Sequence, residues 1–185
     1  MKKIIFLFLF SFFSFIYAAA AEDQIDIQNT GNWAFKIPFG QTADYSDILV
    51  TRAVDGDTLV LENGERVRLI GIDTPELHES AKLDRDARST GQDPSAIQQL
   101  GRQAYEFTKN LVEGKRVSLE FDAERFDRYK RLLAYVYLKD GTFVNAEIVK
   151  QGYASLMKIP PNVKYAALFA QLYAEARQEK RGLWK

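Results

Sequence analysis

Cysteine is absent from this chain of 185 residues, and histidine occurs once, as His78. Without cysteine there are no disulfides, no lipid-modified cysteine anchor and no zinc site built from Cys and His. One histidine excludes a two-histidine nuclease centre. The fold has to stand on its apolar core alone, which a domain of this size can do. An excess of positive charge is lacking too: 25 basic residues face 25 acidic ones. Any attraction for phosphate must therefore be local. Long apolar runs are missing except at the start, where Ile4 to Tyr17 is almost unbroken. It follows the basic Met1-Lys2-Lys3 and precedes the small residues Ala18 to Ala21. The run is short for a membrane span, and the three-part pattern is that of a signal peptide cleaved near Ala21. Loss of Lys2 and Lys3 would leave 23 basic against 25 acidic residues. A periplasmic or secreted protein is expected, with no stable membrane association after cleavage.

Residues 22–47 are weakly patterned and read as an N-terminal extension. Residues 48–185 read as one domain. Leu59, Leu61, Val67 and Leu69 alternate with other residues on either side of Asn63-Gly64, a strong hairpin signal. Arg66 and Arg68 then share one face of the second strand. Leu77 to Asp93 is charged and without apolar period, which predicts a mobile loop. Asp93-Pro94 predicts a helix start, with Asp93 as N-cap and Pro94 in the first turn. Ile97, Leu100, Ala104, Phe107 and Leu111 supply its buried face, and Gly114 ends it. Strands follow at Val117–Phe121 and Leu132–Leu138, then a short helix at Val144–Lys150 and a last helix from about Tyr165 to Gly182. The order expected is β-β-β-α-β-β-α-α, an α+β chain.

The chemistry concentrates in two motifs, Asp55-Gly56-Asp57-Thr58 and Asp73-Thr74-Pro75-Glu76. Each alone is ordinary turn chemistry. Placed at neighbouring strand ends, they gather carboxylates, which suit the oxygen-preferring Ca²⁺ or Mg²⁺. Asp57 and Asp73 are candidate ligands, and the carbonyl of Thr74, restrained by Pro75, is a third. Glu76 is placed to hold an attacking water. Arg68 and Arg131 offer planar forks that match phosphate oxygens. Tyr129, in the charged run Arg125 to Arg131, is the aromatic best placed for a ligand, whereas Tyr135 and Tyr137 read as core. His78 reads as an exposed loop residue. These residue types point to metal-assisted cleavage of a phosphodiester.

With those pieces in order, the chain resembles the thermonuclease (staphylococcal nuclease-like) family. The resemblance rests on Val54-Asp55-Gly56-Asp57-Thr58, Arg68 to Glu76, Asp127 to Tyr135, and Val144-Asn145 to Gly152-Tyr153-Ala154. It covers roughly Ile48 to Trp184. It implies a five-stranded OB-fold barrel with three helices, and a monomeric Ca²⁺-dependent endonuclease, Mg²⁺ being left open. The implied substrates are DNA and RNA, single strands favoured, cut to leave 3′-phosphate ends. By motif, Asp57, Asp73 and the Thr74 carbonyl would bind Ca²⁺, with Asp55 behind them. Glu76 would be the general base, Arg68 and Arg131 would hold the phosphate, and Arg128 and Tyr129 would contact the substrate. The alternative is a non-catalytic nucleic-acid-binding OB-fold module, which typically loses these acids and arginines.

Three departures from the family pattern carry expectations. Lys130 stands where the family usually has glycine, and at positive φ its side chain would be strained and could displace Arg131. The segment Leu77–Asp93 is longer than in the best-known member. Leu156, Met157, Lys158 and Ile159 occupy the stretch in which that member carries base-flanking tyrosines.

Overall fold

A computed structural model describes residues 44–185. The expected signal peptide and nearly all of the expected extension lie outside the described residues. Strands β1 (Ile48–Ala53), β2 (Thr58–Leu61), β3 (Arg66–Leu69), β5 (Arg116–Glu120) and β6 (Leu132–Leu138) close a barrel in the order β1-β2-β3-β6-β5. The five-stranded barrel of the α+β reading is thus present. Between β3 and β5 come the short strand β4 (Gly71–Asp73) and helices α1 (Ala81–Thr90) and α2 (Pro94–Val112). After β6 come α3 (Val144–Lys150), β7 (Ser155–Met157), α4 (Ala166–Gln178) and a 3₁₀ turn at Gly182–Trp184. Strands β4 and β7 pair antiparallel as a separate ribbon, with Ile72 opposite Leu156.

Alternation builds the barrel. Val67 and Leu69 of β3, and Leu132, Ala134 and Val136 of β6, point inward and are buried, because successive strand residues face opposite sides. The β2–β3 hairpin turns at Asn63-Gly64 as predicted. Gly64 takes φ 84°, and its amide donates to the Leu61 carbonyl over 2.9 Å. The parallel pairing of β3 with β6 closes the barrel and places Arg68 beside Leu133. Tyr45, at the end of the expected extension, packs into the same core.

The expected loop between Leu77 and Asp93 is corrected by α1, so the described residues hold four α-helices rather than three. The helix lacks an apolar stripe. Leu83 is its buried apolar anchor, and its ends are capped: the Ser80 hydroxyl accepts from the Leu83 amide, and Gly91 is left-handed. Asp93 caps α2 and Pro94 opens it, as predicted. Buried Asn145 at the start of α3 accepts from the Val136 amide and donates to the carbonyls of Ile70 and Ala134. One amide side chain thereby ties α3 to β6 and to the link between β3 and β4, where buried backbone groups need partners.

Candidate active site

The hairpin puts Asp57 at the start of β2 opposite the end of β3, and the Leu69 amide donates to the Asp57 carbonyl over 2.9 Å. From there β4 carries the chain to Asp73. Two sequence motifs thus meet at one end of the barrel.

Asp57 is buried, and both carboxylate oxygens are engaged. Its Oδ1 lies 2.9 Å from the Arg68 guanidinium, and its Oδ2 accepts from the Thr74 amide (2.9 Å) and hydroxyl (3.1 Å). Arg68 reaches Asp73 Oδ1 with its other terminal nitrogen, over 3.0 Å. A bidentate cation between two carboxylates fixes both of them. The Asp57 amide donates to Asp55 Oδ1 over 3.0 Å. Burial, with the charge of Asp57 adding to it, pushes the Asp55 carboxyl up to about 7. Burial and the Asp57 charge also raise Asp73 above its ordinary value, although Lys82 and Arg68 pull the other way.

Lys82, in the first turn of α1, is a residue that the sequence reading missed. Its ammonium lies 3.2 Å from Asp73 Oδ2, 3.0 Å from the Thr74 carbonyl oxygen and 3.0 Å from Glu76 Oε1. Burial works against its charge, but Asp73 and Glu76 outweigh that and hold its pKa above the ordinary lysine value. The other Glu76 oxygen accepts from the Ser80 hydroxyl over 3.3 Å. The signal for Lys82 was the Ser80 cap followed by charges at helical spacing, hidden in a segment without an apolar period.

Helix α2 holds both motif loops from behind. The buried Thr108 hydroxyl donates to the Gly56 carbonyl over 2.7 Å. Gly101 lets α2 approach the Pro75–Glu76 backbone so closely that an added Cβ would sit 2.3 Å from the Glu76 carbonyl oxygen. Neither role is visible in sequence, because each depends on a contact between distant segments.

The basic corner lies between β5 and β6. Asp127 organises it, accepting at Oδ1 from the amides of Tyr129 (2.8 Å) and Arg131 (2.9 Å) and pairing at Oδ2 with Arg131 Nε (2.7 Å). Lys130 has φ 62°, so the strained left-handed backbone expected for a residue replacing glycine is present. Arg131 nevertheless remains on the cavity wall with Arg68. Arg128 donates to the Tyr129 hydroxyl and lies over its ring.

A cavity of about 630 Å³ joins these parts. Asp55, Asp57, Arg68, Asp73, Thr74, Glu76, Arg128, Tyr129 and Arg131 all border it, so the predicted residues come together at one site. Met157 and Ile159 border it where tyrosines were noted as missing, and Phe126, half-exposed, adds an aromatic edge that the sequence reading did not assign. Tyr135 is core as expected, its hydroxyl donating to Asp122. His78 is exposed.

Among the described residues no three acidic or histidine side chains close on a single point. The oxygens that do converge are Asp73 Oδ2, the Thr74 carbonyl and Glu76 Oε1, and a cation already stands among them in the form of the Lys82 ammonium. This all-oxygen set fits a hard ion, with Asp57 reaching it through Thr74 and through the shared Arg68.

Residues 66–185 match the protein family described as staphylococcal nuclease homologue. That match spans Arg68, the Asp73–Glu76 motif and the basic corner, with Asp55 and Asp57 just ahead of it. The chain is 39% identical over 140 residues to a protein named Thermonuclease from Staphylococcus intermedius, covering 74% of this chain and 75% of the relative. To a Thermonuclease from Staphylococcus hyicus it is 32% identical over 158 residues, covering 84% and 85%. Endonuclease YncB of Bacillus subtilis is 36% identical over 143 residues, covering 75% of this chain and 61% of that protein.

Proposed function

The chain belongs to the staphylococcal nuclease homologue family, as an endonuclease that hydrolyses phosphodiester bonds, and we propose that it uses Ca²⁺ to cut DNA and RNA into 3′-phosphate ends. The observation that carries this reading is the gathering of Asp73 Oδ2, the Thr74 carbonyl and Glu76 Oε1 within 3.2 Å of one cation, beside Arg68. Asp57, Asp73 and the Thr74 carbonyl would hold the ion, with Asp57 also fixing Thr74 and Asp55 behind them, accepting from the Asp57 amide. The bound ion supplies charge stabilisation at the phosphoryl oxygens.

The protein residues divide the remaining work. Glu76 takes a proton from the water whose oxygen attacks phosphorus. Arg68 and Arg131 face the phosphate and offset the negative charge that grows on its oxygens in the transition state. The bond from phosphorus to the 5′ oxygen breaks, that oxygen takes a proton from solvent water and leaves as a hydroxyl, Glu76 returns its proton to solvent, and the phosphate stays on the 3′ side. Arg128 and Tyr129 line the approach, where a base or a neighbouring phosphate would lie. A single strand suits this open, side-chain-lined cavity. The protein acts as a monomer in the periplasm or outside the cell, after cleavage near Ala21.

The test is cleavage of single-stranded DNA and RNA with Ca²⁺, with Mg²⁺ or with a chelator, with Asp57→Ala alongside and the product ends analysed. Calcium-dependent cutting to 3′-phosphate ends, lost in Asp57→Ala, is expected. Binding without cutting under any metal would replace this reading with the non-catalytic module.

A further inference from the structure

We propose that Lys82 is the metal ion's internal competitor: its ammonium occupies the cation position among Asp73, Thr74 and Glu76 and must leave before the ion can enter. The inference rests on the metal-dependent reading above and adds a residue that sets the metal concentration at which the enzyme loads.

Three contacts carry it. The ammonium touches Asp73 Oδ2, the Thr74 carbonyl and Glu76 Oε1, all between 3.0 and 3.2 Å. Two of these oxygens belong to the candidate ion ligands and the third to the candidate base. A lysine bound there takes up the donor lone pairs that the ion needs, and like charges at such separations repel strongly. The two cations are therefore mutually exclusive at this position.

The surrounding structure makes the exchange local. Lysine carries its charge on a flexible four-carbon stem, and its helix is fixed at its N-terminus by the Ser80 cap. One turn along the same helix, Asp86 Oδ2 lies 3.8 Å from the ammonium, so the charge can swing outward and still have a carboxylate beside it. The Ser80 hydroxyl also bonds Glu76 Oε2. When Lys82 leaves, Glu76 Oε1 becomes available to the attacking water while its other oxygen stays tethered. Loading of the ion and release of the base become one event.

The consequence is a measurable change in affinity. If the ammonium stands in the site about nine-tenths of the time, the apparent Kd of the ion is raised about tenfold. Calorimetric titration of the full-length protein with Ca²⁺ alone is the direct readout, with thermal unfolding as a second. Lys82→Met is expected to bind Ca²⁺ about tenfold more tightly. Its ion-free form should melt below the unsubstituted protein, because Asp73 and Glu76 lose their counter-charge, and the gain in Tm on adding Ca²⁺ should be larger. Lys82→Arg keeps the charge and should not tighten binding. Arg85→Met removes the same charge from the same helix at the cavity rim and separates a general field effect from occupation of the site; only a small shift is expected. Unchanged or weaker Ca²⁺ binding in Lys82→Met would overturn the proposal, as would an equal gain in Arg85→Met. No Ca²⁺ binding by any of the four proteins would overturn the metal-dependent reading itself.

Discussion

The acidic half of the site and its basic corner are built in opposite ways. Asp57 is 5% exposed and engaged at both oxygens, whereas Tyr129 is 65% exposed and packs chiefly against arginines. Four strand ends and α2 hold the acids; the corner is one loop, organised by Asp127 and pinned at its start by the Asn162 side chain. Charges that must be kept close together against their own repulsion need a dense frame, because each is costly to bury without a partner. Groups that receive a long flexible polymer need reach more than rigidity. The chemistry should therefore depend on the frame and on Arg131, the one clamp that the corner presents to it, and the fit to substrate on the exposed Tyr129.

Substitutions at the two ends of the cavity separate these roles. After loss of the base Glu76, the largest effect is expected from Arg131→Ala, which removes a phosphate clamp from the corner and should lower kcat about 10²- to 10³-fold; activity near the unsubstituted level would show that Lys130 serves instead. Gly101→Ala touches no substrate, yet its Cβ would push on the Glu76 backbone. A displacement of about 1 Å at a reacting group can lower turnover about 10²-fold, so a fall of that order is expected, together with a lower Tm. Retained activity would mean that the frame yields more readily than its packing implies.

Smaller effects belong to the corner's scaffold. Burial raises the Asp127 pKa, but hydrogen bonds from the amide and guanidinium of Arg131 outweigh it and hold the carboxyl below its ordinary value. A lowered folded-state pKa gives stability that is full above the unfolded value of 3.8 and is lost as pH falls through the lower folded value. Asp127→Asn should therefore be less stable at neutral pH and show a shallower loss of Tm below pH 4, with kcat reduced as Arg131 loses its anchor. Parallel acid limbs in the two proteins would count against this. Smallest is Lys130→Gly. Relief of the left-handed backbone should stabilise the protein by about 1 kcal/mol in denaturant unfolding, with activity unchanged or slightly raised. A loss of stability would mean that the Lys130 side chain makes contacts that outweigh its strain.

The same contrast governs what could be read from the sequence. The β2–β3 hairpin, the Asp93-Pro94 start of α2 and the bounds of α3 rest on local turn, cap and periodic signals, and each was legible. Helix α1 was not, because a helix with one buried anchor and charges around it has no period to detect. The β4–β7 ribbon was missed as well: each strand has three residues, and their pairing is a tertiary event without an alternating pattern. All nine predicted site residues border one cavity because their motifs sit at strand ends that the barrel must bring together. Lys82, Gly101, Thr108 and Asn145 stayed hidden, since their roles exist only once distant segments touch.

The most direct test of a chemical frame facing an adaptable corner is a steady-state comparison of Glu76→Gln with Tyr129→Ala on one single-stranded substrate at saturating metal. Glu76→Gln should lose about 10²- to 10⁴-fold in kcat with KM little changed, while Tyr129→Ala keeps kcat and raises KM about tenfold. An unchanged kcat in Glu76→Gln, or a collapse of kcat in Tyr129→Ala, would contradict that division.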